Sequence, residues 1–201
     1  MLAIYKREMR SYFTSVIGYV FLVLFLALGG VVFCYTTLYS MSANVSNFFT
    51  YMLLFSAIVL PLLTMKSFSE ERKIKTEQLL LTAPVSLTGM VLGKFFASMT
   101  MFGGALLLNS LYFLFLIPYA ALQTALLFGN IIAILLVGMT FIAIGLFVSS
   151  LTENQLTAAI GTIAILAVFL GISLLNNLLP SSYWLRYVFN CLSLFSRFQT
   201  F

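Results

Sequence analysis

The chain has 201 residues, of which 62% are hydrophobic and 7% charged, with ten Lys and Arg against five Asp and Glu and no His. Its mean hydropathy is +1.11, and so few polar groups cannot cover a folded surface in water. The apolar runs are continuous and lack the alternation of barrel strands, so the reading is an all-α, polytopic helical membrane protein, in which each span bonds its own backbone.

In chain order, residues 1–15 form an amphipathic interfacial segment. Leu2, Tyr5, Met9, Tyr12, Phe13 and Val16 share one helical face, and Lys6, Arg7 and Arg10 share the other. The pattern suits a basic anchor. It equally suits a lever lying on the inner leaflet and bending into the first span near Gly18.

Five runs approach the roughly 20 residues a span needs: Val16 to Tyr39, Phe48 to Met65, Phe95 to Pro118, Ala125 to Ser149 and Gln155 to Leu179. The first is too long, and too lightly flanked by small residues, for a cleaved signal sequence, so it is a retained span. Together the runs read as a single transmembrane domain, 1–201, without an internal repeat. Pro61 should kink the second span near its cytoplasmic end, either as a hinge or as a static bend.

Between the second and third runs lies the one long polar interval, 66–94, with Lys66, Glu70, Glu71, Arg72, Lys73, Lys75, Glu77 and Lys94. Its charges have helical spacing: Glu70 with Lys73, Glu71 with Lys75, and Lys73 with Glu77 stand three or four residues apart. Pro84 ends that helix, and Ser86 or Thr88 can cap a new one that runs through Lys94 into the third span. The result is a cytoplasmic helix, a sharp turn and a return to the membrane, a shape suited to docking. The plainer alternative is a solvated hairpin whose charges only set topology.

Lys6, Arg7 and Arg10 precede the first span and five more basic residues lie in 66–94, whereas only Arg186 and Arg197 face the other side. The positive-inside rule therefore puts the N-terminus in the cytoplasm of a multi-pass protein of the cytoplasmic (inner) membrane. The same rule, with attraction to anionic lipid, accounts for the net charge of +5 without nucleic acid. No His, Asp, Glu, Lys or Arg falls within the five predicted runs, which removes the components of a proton relay. Two Cys without His give no zinc pattern, and no phosphate-binding loop is present, so no cofactor and no catalytic site is expected in this chain.

Asn109, Asn130, Asn176 and Asn177 are expected to bond neighbouring helices, and Gly29, Gly30, Gly103, Gly104, Gly138 and Gly145 to mark close helix contacts. Cys34 and Cys191 both fall on the outer side; an apolar filler role is preferred to a bridge. Ser150 and Glu153 have the spacing of a capping box before the fifth span.

Several of these runs resemble a known family. Glu70-Glu71-Arg72-Lys73, Thr76-Glu77-Gln78-Leu79-Leu80, Ala83-Pro84-Val85-Ser86 and Gly93-Lys94 look like the cytoplasmic segment of ABC-2 type permeases. Ser149 to Gln155 is similar to the turn before their fifth span. The resemblance covers essentially the whole chain and is nearest to permeases of the gliding-motility type. It implies a transmembrane domain of the type V exporter kind, paired with a second permease subunit as a homodimer or heterodimer. It also implies two ABC ATPase subunits that bind ATP and Mg and receive a coupling helix. On this chain the match assigns ATPase coupling to Glu70, Glu71, Arg72, Lys73, Thr76, Glu77 and Pro84.

Family members have six spans, so a sixth is expected beyond Phe201. Residues 180–201, with Trp184 and Tyr187, resemble the extracellular re-entrant helices before that span. The function expected is the permease subunit of an ATP-driven exporter. The alternative is a non-transporting subunit that passes ATP-driven motion to an extracytoplasmic accessory partner or anchors machinery.

Overall fold

A computed structural model of the protein describes residues 2–41, 45–73, 87–116 and 124–178. Thr76, Glu77, Pro84, Trp184, Tyr187 and Cys191 lie outside these residues, as do the helix break, the re-entrant segment and any bridge to Cys34. Six helices fill the described chain: α1 Leu2–Thr14, α2 Val16–Phe33, α3 Val45–Lys73, α4 Leu87–Ser110, α5 Thr124–Leu151 and α6 Gln155–Leu178. Among the described residues there is no strand.

Among the described residues four stretches are long and apolar enough to cross a membrane, Val16–Tyr39, Val45–Lys73, Leu87–Phe113 and Thr124–Leu151, and α6 adds a shorter apolar stretch, Gln155–Gly171. A π-helical turn over Cys34–Tyr39 carries α2 to its predicted end. Two boundaries differ from expectation. The second span and the start of the charged segment, Lys66 to Lys73, are one helix, because α3 runs 29 residues, about 44 Å at 1.5 Å per residue, and so outreaches a hydrocarbon core of about 30 Å. The apolar stretch of the third span begins at Leu87, not Phe95, while its helix runs through Lys94 into the span, as expected of a helix capped at Ser86 or Thr88.

α1 and α2 are separated at Ser15, whose extended backbone (φ −97°, ψ 145°) and hydroxyl cap α2 through the Gly18 amide at 3.4 Å. A Cβ on Gly18 would sit 2.1 Å from the Tyr12 carbonyl oxygen, so only glycine allows α2 to fold back against the end of α1. The buried stripe of α1 is Ile4, Glu8 and Tyr12, whereas Leu2, Phe13 and Val16 are exposed. The predicted apolar face is thus divided. In lipid an apolar side chain gains little by turning inward, while a polar one needs a partner.

α3 is the central helix and touches α2, α4, α5 and α6, while α1 lies against α4 and α2. Pro61 is buried within α3, and the helix continues through it. Phe48 and Phe113 meet edge to face at 5.0 Å, with Phe33 and Phe49 completing an aromatic core.

Three glycines make the close contacts expected of them. A Cβ on Gly29 would meet Asn109 at 2.0 Å, on Gly138 the Phe102 ring at 2.1 Å, and on Gly145 Thr64 Oγ1 at 2.3 Å. Gly104 makes none, since nothing lies within 4 Å of its Cβ position. Asn109 bonds across helices, its Nδ2 donating to the Phe25 carbonyl at 3.3 Å. Asn130 instead donates to Leu126 of its own helix at 2.8 Å. The cap of α6 also differs: Asn154 Oδ1 accepts from the Leu156 amide at 3.1 Å, while Ser150 still belongs to the last turn of α5 and donates to the Phe147 carbonyl. Asparagine caps a helix as well as serine does, and here it is the residue adjoining the first turn.

Candidate functional site: an ionic junction of three helices

The elements that carry most of the charge converge at one end of the bundle. The C-terminal turns of α3 bring Lys66 to Lys73, α1 brings Arg7 and Glu8, and the second turn of α4 brings Lys94. Lys94 is 1% exposed. A bare ammonium at such a depth would cost several kcal/mol, so its surroundings must answer its charge and its three donors. They do: Nζ lies 2.9 Å from Glu71 Oε2 and 3.4 Å from Glu8 Oε1, and donates to the Ser67 carbonyl. The Phe68 ring centroid, 4.7 Å away, closes a further side.

Arg7 completes the junction from the open side. Its Nη2 is 2.5 Å from Glu71 Oε1 and 2.9 Å from Glu8 Oε1. Two cations and two carboxylates from three helices therefore balance to zero. Burial works against the Arg7 charge, but the hydrogen bonds and charges of Glu8 and Glu71 outweigh it and hold the guanidinium above its ordinary value. One turn deeper, the Tyr12 hydroxyl meets Ser98 Oγ at 2.9 Å, and burial pushes the phenol up, which keeps it neutral. A polar cleft of about 240 Å3, lined in part by Arg7, Lys66, Ser67 and Glu70, opens beside the group.

The end of α3 is also held from its opposite flank. Ser149 Oγ of α5 accepts from the Phe68 and Ser69 amides at 3.2 Å each and lies 3.2 Å from the Met65 carbonyl, to which it donates. Gly145, one turn earlier on α5, makes the close contact with Thr64.

This arrangement divides the residues proposed for coupling. Glu71 is turned inward, with a side chain 16% exposed against 34% for Glu70; Arg72 is half-buried and Lys73 exposed. The partner of Glu70 is Lys66 at 3.5 Å, the spacing toward the preceding turn rather than toward Lys73. Glu8 is the participant that sequence reasoning passed over. Its signal was present, since it is the one acid of α1 and stands four residues from both Ile4 and Tyr12. Lys94 is likewise the one charge of α4. Among the described residues no cluster of His, Cys, Asp or Glu could hold a metal ion.

A family model described as ABC-2 family transporter protein matches residues 2–182, from the first turn of α1 past the end of α6. The chain belongs to the ABC-2 transporter family. No curated protein and no solved structure matches it. As an ABC-2 permease it is a multi-pass membrane component of an ABC transporter, and the family associates with ABC ATPase subunits. The junction lies at the end of the permease where α3 reaches Lys73.

Proposed function

We propose that this permease receives the motion of separate ATPase subunits at the end of α3 and passes it to α1, α4 and α5, which grip that end, so as to drive export. The observation that carries the reading is the continuity of α3 from Val45 to Lys73. A single helix transmits a displacement of its charged terminus to its membrane-embedded part without an intervening hinge of loop residues. Residues 74–86 would supply the rest of the docking surface, and the partner subunits, not this chain, would hold ATP and Mg. A second permease subunit would complete the translocation path.

The cytoplasmic placement of the N-terminus is part of this proposal. Lys6, Arg7, Arg10, Lys66, Arg72, Lys73 and Lys94 all sit on elements meeting at one end, which supports the cytoplasmic side for that end.

The experiment is copurification of the ATPase with the paired charge reversal Glu70→Lys and Lys73→Glu. Both positions lie on the open side of the α3 terminus, where charge sets partner match more than stability. The expected outcome is normal membrane insertion with loss of the ATPase from the complex. Undiminished copurification, together with undiminished transport-linked hydrolysis, refutes docking at this terminus. Glu71 is unsuitable for this test because reversing it would break the junction itself.

A further inference from the structure

Of the three basic residues of α1, only Arg7 is answered by carboxylates. Lys6 and Arg10 are exposed, one helical turn apart, and their side chains make no ion pair or hydrogen bond among the described residues. At 100° per residue, Lys6, Met9, Arg10 and Phe13 fall within about 100° of arc on α1. The two cations therefore border the apolar strip that carries Met9 and Phe13.

That strip is one wall of an open groove of about 410 Å3 inside the elbow between α1 and α2. Leu22 of α2 continues the wall, and Thr100, Gly104 and Leu108 of α4 lie opposite. At Gly104 the groove has a gap in its floor, because no atom lies within 4 Å of where a Cβ would be. It extends from Thr100 on α4 to Leu111 just past its end, about 16 Å of helical rise. Half of a hydrocarbon core of about 30 Å is nearly the same depth. The polar atoms cluster at the α1 end, where Thr100 Oγ1 lies 3.1 Å from Met9 Sδ and 3.4 Å from the Tyr5 hydroxyl.

We propose that this groove binds one anionic phospholipid, with its phosphate on Lys6 and Arg10 and an acyl chain between the α1–α2 elbow and α4. Charge complementarity selects the headgroup. Two cations beside the α1 strip, without an ion pair among the described residues, favour a net negative lipid, and a choline headgroup would bring a third positive charge to the same place. The bound lipid would hold α1 to the leaflet on the face opposite the Glu8 stripe, and so fix the helix that supplies two of the four charges of the junction. The inference rests on the membrane placement of the chain and not on ATPase coupling.

Native mass spectrometry of the purified protein, delipidated and then titrated with phosphatidylglycerol or phosphatidylcholine, tests it. The expected result is one tightly retained phosphatidylglycerol and weaker retention of phosphatidylcholine. Each of Lys6→Gln and Arg10→Gln should lower the preference about five-fold, from roughly 1 kcal/mol per basic residue near an anionic surface. Gly104→Leu should lower retention of both lipids by filling the slot. Lys73→Gln, a basic residue at the same end but away from the groove, should change neither. Equal retention of the two lipids by the unmodified protein overturns the proposal. So does a loss of preference in Lys73→Gln as large as in Lys6→Gln, which would mean general surface charge and not a site. Lys6 and Arg10 are exposed, so their variants fold, and the readout needs no partner ATPase.

Discussion

Replacing Glu71 by Gln removes one charge from the junction and leaves its shape and one acceptor oxygen nearly intact. Lys94 then keeps Glu8 at 3.4 Å and the Ser67 carbonyl but loses the carboxylate at 2.9 Å, and Arg7 loses the one at 2.5 Å. At an effective dielectric constant of about 20, a unit pair at that Lys94–Glu71 separation attracts by roughly 6 kcal/mol before desolvation is charged against it. Breaking one partner of a buried pair typically costs about 3 to 5 kcal/mol, and the surviving Glu8 contact places this case near 3. Glu70→Gln is the control. Its carboxylate is 34% exposed and 3.5 Å from Lys66 one turn away, a contact worth under about 0.5 kcal/mol.

The assay is an unfolding titration of the purified permease in mixed micelles, followed by circular dichroism. Combining Glu71→Gln with Lys94→Met removes one charge of each sign and leaves Arg7 with Glu8. The pair of substitutions should therefore be less damaging than the sum of the two singles by at least about 1.5 kcal/mol. Additive losses, or a Glu71→Gln variant as stable as Glu70→Gln, would show that the four charges do not act as one unit.

Two further outcomes follow from contacts at single residues. Gly145→Ala should destabilise the bundle by about 1 to 3 kcal/mol, because the new Cβ meets Thr64 Oγ1 at 2.3 Å; Gly129→Ala on the same helix, with nothing within 4 Å, should stabilise it by up to about 1 kcal/mol, and the same micelle titration compares them. For topology, a Cys at Met41, which is 93% exposed, should label with an impermeant thiol reagent on intact cells in a background lacking Cys34 and Cys191, while one at Lys73 should label only after permeabilisation; the opposite pattern would invert the proposed orientation.

The span architecture was legible in the sequence because a stretch of some 20 apolar residues has few alternatives in a membrane. Val16 to Tyr39 was located to the residue, and Gln155 was read correctly as the start of α6. The junction was not legible, for a definable reason. Periodicity assigns residues to faces of one helix, but a buried charge is tolerated only through partners on other helices. Glu8 and Lys94 are 86 positions apart, and α1 alone shows merely an acid on a mixed face. The helical spacing of Glu70 to Lys73 pointed to local pairs worth a few tenths of a kcal/mol. A buried ammonium on α4 also holds Glu71 inward, and Lys75, the expected local partner of Glu71, lies outside the described residues. Likewise, hydropathy places the end of a span where charge begins, whereas a helix ends where its hydrogen bonding ends. α3 therefore continues past the apolar run to Lys73.

Whether α1 is a passive anchor or a moving lever turns on its attachment to α3, and one glycine separates the two. The end of α3 cannot shift relative to α1 without stretching the Arg7–Glu71 contact, nor relative to α4 without stretching Lys94–Glu71. In Gly18→Ala the Cβ would stand 2.1 Å from the Tyr12 backbone, which must push the C-terminal end of α1 off α2 while leaving Glu70 and Lys73 untouched. The Tyr12–Ser98 contact, at 2.9 Å in the native protein, would open first, followed by that of Glu8 with Lys94 one turn away. A lever predicts that this variant still copurifies with the ATPase but hydrolyses ATP without moving substrate. An anchor predicts lower abundance in the membrane with transport per molecule unchanged. Transport per molecule equal to that of the unmodified protein would therefore refute the lever, even if the variant were less stable.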